Sequence, residues 1–139
     1  MSEKVRKSEA EWKALLSEEE FKVSRKKGTE RAFTGMYWNH HERGTYHCVC
    51  CGAELFHSSA KYESGTGWPS FFTPVDPARV AEVVDRGFFM TRVEIVCAAC
   101  DGHLGHVFPD GPLPSRRRYC MNSAALRFSS EEAHSEPGA

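Results

Sequence analysis

The chain has 139 residues, the length of a single domain, and its 40% apolar and 27% charged residues are typical of a globular protein. Eighteen basic residues balance nineteen acidic ones, and this near-neutral charge disfavours a dedicated nucleic-acid binder. The charged N-terminus does not resemble a secretory signal and no apolar run could span a bilayer, so we expect a cytoplasmic protein without membrane association. In that reducing compartment, six cysteines indicate metal binding or catalysis rather than disulfides.

The N-terminal region is predicted to form two short helices. Ser8 with Glu11, and Ser17 with Glu20, have the spacing of capping boxes, in which each side chain bonds the backbone N–H of the other residue. Trp12 and the leucines that follow it give the first helix an apolar face. We expect both helices to pack on the body of the domain.

The remainder of the chain is predicted to be mainly β. Runs rich in β-branched and aromatic residues, at 45–49, 88–96 and 124–128, are separated by glycine, proline, asparagine or aspartate. Polar residues interrupt the second run, which predicts a strand with at least one solvated stretch. The polar residues 129–139 are expected to be disordered, so a single domain is predicted over residues 1–128. The predicted class is α+β, dominated by antiparallel sheet, with short N-terminal helices.

Four cysteines occur as two C-x-x-C pairs, Cys48 with Cys51 and Cys97 with Cys100, each followed by a glycine turn. This spacing lets two thiolates on one tight turn face a common centre, and two such turns complete the tetrahedral sulfur site that zinc prefers. Forty-five residues separate the pairs, so the metal would clip distant strand ends together. We predict one structural Zn²⁺; the alternatives are two disulfides or unrelated buried thiols.

Removing these four ligands leaves two cysteines, Cys50 and Cys120. Cys50 lies inside the first C-x-x-C turn, where neighbouring thiolates constrain it. If the segment around Cys120 is extended, the period of two places Arg118, Cys120 and Asn122 on one face. A guanidinium there favours the reactive thiolate, and the amide could orient a substrate or a water. The alternative is that Cys120 is an inert core residue.

Two histidines and two aromatic residues are further candidates for the site. His103 and His106 are natural proton donors near neutral pH, and Gly105 could supply a bulge that brings His103 to the side of His106. Trp68, in a glycine-rich loop, and Phe108 could form an aromatic wall for a small apolar group. The alternatives are structural histidines and a plain surface turn.

At this point the sequence resembles the methionine-R-sulfoxide reductases of the B type. The resemblance extends from about residue 8 to residue 128, and the matching segments are 29–35, 44–48, 51–56, 64–71, 103–111 and 118–124. It implies two antiparallel sheets with the zinc site remote from the catalytic thiol. It also implies the substrate, the R epimer of methionine sulfoxide in oxidised proteins or peptides.

The resemblance also implies a mechanism in which Cys120 attacks the sulfoxide sulfur and is left as a sulfenic acid. His106, with His103 nearby, would donate a proton, and Trp68 with Phe108 would contact the substrate. Arg118 would favour the thiolate, and Asn122 would help to fix the polar groups. Many relatives carry a second, resolving cysteine where this chain has Thr66, which cannot form a disulfide. We therefore hypothesise that thioredoxin or a small thiol reduces the sulfenic acid directly; the alternative is that Cys50, the one remaining unassigned thiol, acts as the resolving cysteine.

Other functions fit parts of the sequence. The main alternative is a non-enzymatic, zinc-stabilised binding module. A zinc-dependent nucleic-acid binder would use the arginines at 116–118, but the near-zero net charge disfavours it. A thiol oxidoreductase that uses C-x-x-C as its redox pair is disfavoured because two such pairs suit one metal better.

Overall fold

The computed structural model describes residues 4–86 and 91–131. The described residues form two α-helices, α1 Glu9–Leu15 and α2 Glu18–Arg25, and nine β-strands. The strands are β1 Gly44–Cys48, β2 Glu54–His57, β3 Lys61–Tyr62, β4 Ser70–Phe71, β5 Val80–Arg86, β6 Thr91–Cys97, β7 His103–Phe108, β8 Arg118–Met121 and β9 Leu126–Ser130. Within these described ranges, neither helix has the length or apolar character needed to cross a bilayer.

Both predicted capping boxes are present. The Ser8 hydroxyl accepts a hydrogen bond from the Glu11 N–H at 3.1 Å, and the Glu11 carboxylate accepts one from the Ser8 N–H at 2.8 Å. Ser17 and Glu20 make the same reciprocal pair at 3.1 and 2.9 Å. Trp12 is buried on the inner face of α1. The prediction of two short N-terminal helices is therefore confirmed.

The strands form two antiparallel sheets that pack through an aromatic core. One sheet has the order β2-β1-β9, and the other has the order β3-β4-β8-β7-β6-β5. Tyr46 and Phe56 of the first sheet contact Phe71 of the second, with ring centroids 5.2 and 4.4 Å apart, and all three side chains are fully buried. This confirms the predicted class, α+β and mainly β, with two antiparallel sheets.

The bounds of all three predicted strands differ from the structure, and the run at 45–49 is observed as Gly44–Cys48. Strand β9 continues through Ser130, where it pairs with Gly44, so the predicted domain end at residue 128 falls two residues short. The expected disorder is therefore wrong for residues 129 and 130, because the backbone ladder with β1 includes them. The predicted strand at 88–96 is observed as Thr91–Cys97. Residues 88–90 and 132–139 of these two predictions lie outside the described residues.

The carboxylate of Glu30 ties the N-terminal segment to the turn between β8 and β9. It is 4% exposed and accepts hydrogen bonds from the backbone N–H groups of Ser123 and Ala124, at 2.8 and 2.9 Å. The Glu30 backbone N–H donates to the Asn122 side chain at 3.0 Å, and its carbonyl accepts from the Trp68 indole at 3.0 Å. One residue thus holds together three segments that are distant in sequence.

We predict that Glu30→Ala lowers the free energy of unfolding by about 2–4 kcal/mol, because it leaves two buried N–H groups without an acceptor. Glu30→Gln keeps one carbonyl oxygen and is expected to cost about 1–2 kcal/mol. Urea denaturation measures both values. Glu54→Ala, at an exposed position of β2, is the control. A Glu30→Ala variant as stable as the control would contradict the assigned role.

Candidate functional site

The register of the six-stranded sheet aligns five polar or reactive side chains in one row. Tyr62 pairs with Ser70, Ser70 with Cys120, Cys120 with His106, and His106 with Glu94. Residues directly opposite each other on neighbouring strands point to the same face, with Cβ atoms about 4.5–5.5 Å apart. Cys120 therefore lies between a hydroxyl and an imidazole on one face of the sheet.

A cleft of about 270 Å³ opens beside this row. Six of the predicted site residues line it: Cys120, His106, Arg118, Asn122, Trp68 and Phe108. The cleft suits one side chain or a small molecule in size. The seventh candidate, His103, is 3% exposed and lies beneath the cleft, with its ring centroid 5.5 Å from that of His106.

Burial governs the ionisation of Cys120. It raises the pKa of the thiol above its ordinary value, and the nearby carboxylate of Asp110 acts in the same direction. The positive charge of Arg118 and a hydrogen bond with Thr66 lower this pKa, but they offset the burial only in part. Arg118 thus favours the thiolate in the predicted direction, yet the protonated thiol predominates at neutral pH.

The guanidinium of Arg118 is held in place from two sides. It donates to both carboxylate oxygens of Asp110, at 2.8 and 3.2 Å, and lies 4.4 Å above the ring of Phe108. Phe108 is directly opposite Arg118 in the β7–β8 ladder. The ion pair keeps the pKa of Asp110 below its usual value. Asp110 is a residue for which the sequence provided no role.

A carboxylate on β5 orients His106. The Nε2 atom of His106 lies 3.1 Å from Oδ2 of Asp85, and the same oxygen accepts a hydrogen bond from Arg92 at 3.3 Å. Burial lowers the pKa of His106, although the bond with Asp85 acts against this. The imidazole is therefore neutral at pH 7 in the open cleft. Sequence reasoning missed Asp85, because its contact depends on the pairing of three strands.

His103 is bound to the buried carboxylate of Glu94. Its Nδ1 atom lies 2.7 Å from Oε2 of Glu94, which is 3% exposed, and Lys27 reaches the other oxygen of Glu94 at 3.2 Å. The Nε2 atom of His103 is buried and has no hydrogen-bond partner among the described residues. Glu94 belongs to the strand for which at least one solvated stretch was predicted; Thr91, at the start of that strand, is exposed, whereas Glu94 is buried. In the sequence, the indication that Glu94 is buried is its position between the apolar residues Val93 and Ile95.

A register shift brings the two histidines together. Pairing of β7 with β6 shifts between Gly105 and His103, with Leu104 as the extra residue, close to the bulge predicted at Gly105. The β6 partners of His103 and His106 are two residues apart, so both histidines face the same side. A side chain on Gly105 would place its Cβ 2.1 Å from the carbonyl oxygen of Cys120. Glycine therefore permits the close approach of β7 to β8.

Asn122 and Trp68 are both anchored on Glu30. The Asn122 side chain accepts from the Glu30 N–H at 3.0 Å and donates to the carbonyl of Leu104 at 3.2 Å. The Trp68 indole donates to the Glu30 carbonyl at 3.0 Å. These bonds fix the orientation of an amide and an aromatic ring in the wall of the cleft. Sequence reasoning did not identify Glu30 as their shared support.

The four paired cysteines form a separate cluster that could hold a metal ion. The Sγ atoms of Cys48, Cys51, Cys97 and Cys100 all lie within 4.8 Å of one another. The Cys48–Cys100 and Cys51–Cys97 sulfurs are each 3.6 Å apart, close to the roughly 3.8 Å between sulfurs on one tetrahedral zinc. These distances are too long for disulfide bonds, and all six cysteines are free.

Cys50 lies beside the cluster and outside its ligand set. Its Sγ lies 3.2 Å from the Ser24 hydroxyl on α2. The next residue of α2, Arg25, stacks on Trp12 at 4.3 Å and reaches the sulfur and the carbonyl of Cys100 at 3.6 and 3.2 Å. A positive charge at this position complements the net negative charge of a four-thiolate metal site. The helices thus dock on the sulfur cluster.

A family model described as the SelR domain matches residues 16–130. Three similar proteins are each named peptide methionine sulfoxide reductase MsrB. The protein of Herminiimonas arsenicoxydans is 56% identical over 92% of this chain and 93% of its own length. Those of Hahella chejuensis and Acinetobacter baumannii are 54% and 55% identical, over 94% and 96% of both partners respectively. The chain belongs to the SelR domain family.

Proposed function

We propose that this chain reduces methionine-R-sulfoxide in polypeptides, with Cys120 as the nucleophile. The observation that carries this proposal is the position of Cys120: it is the one cysteine of the described cleft, it lies opposite an oriented imidazole, and Trp68 and Phe108 line the same cleft. The names of the relatives support methionine sulfoxide as the substrate. The R epimer follows from the resemblance to the B-type reductases.

In the proposed reaction, the sulfur of Cys120 attacks the sulfoxide sulfur. The sulfoxide oxygen passes to Cys120 as a sulfenic acid, and methionine leaves as the sulfide. Two electrons move from the cysteine sulfur to the substrate sulfur, and the thiol proton is retained on the sulfenic acid oxygen in the net balance. A closed four-sulfur metal site takes no part in this step.

His106 is the proposed proton donor to the sulfoxide oxygen during the attack. Because Asp85 engages Nε2 at 3.1 Å, the transfer would use Nδ1 of the protonated ring. Burial lowers the pKa of His106, so its protonated form gives up a proton readily. His103 is proposed to hold His106 in place, because its ring packs edge-on against that of His106 while Glu94 fixes its Nδ1.

Trp68 and Phe108 are the proposed contacts of the substrate methyl group. Both line the cleft beside Cys120. The indole is fixed by its bond to the Glu30 carbonyl, and the Phe108 ring is covered by the Arg118 guanidinium. Preformed aromatic walls of this kind bind a small apolar group with little loss of side-chain freedom. Asn122 is proposed to fix the polar atoms of the substrate.

Recycling by an external thiol is favoured over an internal disulfide. Cys50 Sγ lies 3.5 Å from the position a Cβ would take on Gly102. Gly102 precedes His106, the partner of Cys120, by four residues, which is roughly 10 Å along the strand because Leu104 is an extra residue in the ladder. A disulfide requires Cα atoms within about 7 Å. We propose that two thiol groups, from thioredoxin or a small thiol, convert the sulfenic acid into thiol and water and leave as a disulfide.

Zinc is the proposed metal of the four-cysteine cluster. Four cysteine sulfurs within 4.8 Å of one another suit zinc, and as four ligands they would leave no coordination position for a reactive water. Its proposed role is to fix the turn after β1 against the turn between β6 and β7. The free state of all six cysteines supports a reducing location, for which we propose the cytoplasm.

We predict that the wild-type protein, with dithiothreitol as reductant, reduces a peptide carrying methionine-R-sulfoxide and leaves the S epimer unchanged. Cys120→Ser is expected to lower the rate by at least about 1,000-fold, because the hydroxyl is a far weaker nucleophile. Cys50→Ser, the matched control, is expected to retain the wild-type rate. Chromatography of the separated epimers measures all three proteins. Equal activity in Cys120→Ser would contradict the proposal and favour the zinc-stabilised binding module.

We predict one zinc ion per chain by elemental analysis of the purified protein. Cys97→Ser is expected to lose the metal and to lower the free energy of unfolding by at least about 3 kcal/mol, because metal binding stabilises only the folded chain. Cys50→Ser should keep one zinc. A wild-type protein with little zinc and four reactive cluster thiols would rule out the proposed metal.

A further inference from the structure

Thr66 lies at the end of a chain of three hydroxyl groups that leads to Cys120. We propose that Ser70, Ser64 and Thr66 form a reversible hydrogen-bond relay, in which Thr66 accepts a hydrogen bond from the Cys120 thiol and donates one to the thiolate. The relay thus makes Thr66 a further catalytic residue and Ser64 a positioning residue. This inference rests on the proposed function of Cys120 as the nucleophile.

The three hydroxyls are close enough to form a continuous chain. The Ser64 Oγ atom lies 2.7 Å from Ser70 Oγ and 2.8 Å from Thr66 Oγ1. Thr66 lines the cleft together with Cys120, and the fully buried Ser70 is directly opposite Cys120 in the β4–β8 ladder. A hydrogen bond between Thr66 and Cys120 lowers the pKa of the thiol. The hydroxyl chain therefore ends in the cleft, at a side chain that acts on the reactive sulfur.

When Cys120 is protonated, the number of hydroxyl protons fixes which group of the relay donates each hydrogen bond. Ser70 donates to the carbonyl of Trp68 at 3.1 Å, and a carbonyl can only accept. Ser64 must then donate to Ser70, and Thr66 to Ser64. The Thr66 oxygen keeps lone pairs for the Trp68 N–H, at 3.4 Å, and for the S–H of Cys120. All three hydroxyl protons are committed away from the sulfur.

In the proposed relay, the direction of hydrogen-bond donation reverses when Cys120 becomes a thiolate. Thr66 then turns its proton to the sulfur, Ser64 donates to Thr66, and Ser70 donates to Ser64. No proton leaves the three hydroxyls, because each O–H only rotates about its C–O bond. The Trp68 carbonyl loses its 3.1 Å bond from Ser70, and a charge-assisted bond to the thiolate is gained. The relay therefore stabilises the thiolate but makes its formation conditional on reorientation.

Other charged and titratable groups also face Cys120, and none of them belongs to the relay. Arg118 and Asp110 act on it from β8 and from the segment after β7, His106 lies opposite on β7, and Tyr62 interacts with it from β3. Substituting Thr66 or Ser64 leaves these groups in place. A change in the ionisation of Cys120 in such variants therefore reports on the relay.

The test is the pH dependence of iodoacetamide alkylation, followed by mass spectrometry of the peptide that contains Cys120. Thr66→Val keeps the shape of the side chain and removes the hydroxyl. It is expected to raise the alkylation midpoint by about one pH unit and to slow reduction of the R-sulfoxide peptide at pH 7 about tenfold. Thr66→Ala should shift the midpoint in the same direction. Thr66→Ser keeps the hydroxyl and should keep the midpoint within about 0.3 pH units of the wild-type value and the rate within about twofold.

Ser64→Ala distinguishes a relay in which all three hydroxyls reorient together from a Thr66 hydroxyl that donates to Cys120 independently. Without Ser64, Thr66 no longer has to withdraw its proton from a neighbour, and Ser70 keeps its bond to the Trp68 carbonyl. The midpoint is therefore expected to fall by roughly half a pH unit. An unchanged midpoint in Thr66→Val, or an unchanged or raised midpoint in Ser64→Ala, would overturn the relay. Either result would leave the proposed function intact, which fails only if the wild type does not reduce the R epimer.

Discussion

The close pairing of β7 with β8 is the constraint on which the rest of the site depends. A Cβ at position 105 would lie 2.1 Å from the carbonyl oxygen of Cys120, so the two strands can meet at this distance only because Gly105 has none. The same ladder sets His106 opposite Cys120 and Phe108 opposite Arg118. The four-cysteine cluster supports this arrangement from one end, since Cys97 ends β6 and Cys100 lies in the turn that leads to β7.

Burial in the cleft favours the neutral forms of both reacting groups. It raises the pKa of the Cys120 thiol and lowers that of the His106 imidazole. Arg118 acts against the first effect, and Asp85 acts against the second. The proposed reaction needs a thiolate and a proton for the sulfoxide oxygen. Each charged form is therefore disfavoured by the cleft but supported by at least one fixed neighbour, which is a suitable arrangement for a transient ion pair.

Features that depend on local spacing could be predicted from the sequence. Capping boxes lie within four residues of the chain and C-x-x-C pairs within one turn, so the helices and the cysteine cluster required no tertiary information. The alternation around Cys120 placed Arg118 correctly for the same reason. Glu94, Asp85 and Glu30 could not be found in this way, because their partners come from other strands and turns. The contacts of Asp85 and Glu94 depend on strand order, and that of Glu94 with His103 also depends on the register shift in β7.

The central claim is that Cys120 takes the sulfoxide oxygen and keeps it until an external thiol arrives. The most direct measurement is mass spectrometry of the protein after one turnover with an R-sulfoxide peptide, without any reductant and with a sulfenic-acid trapping reagent present. We predict one methionine formed per chain, with the trap attached at Cys120 and Cys50 unmodified. A disulfide between Cys50 and Cys120 as the main product, or product formation with Cys120 unchanged, would contradict it.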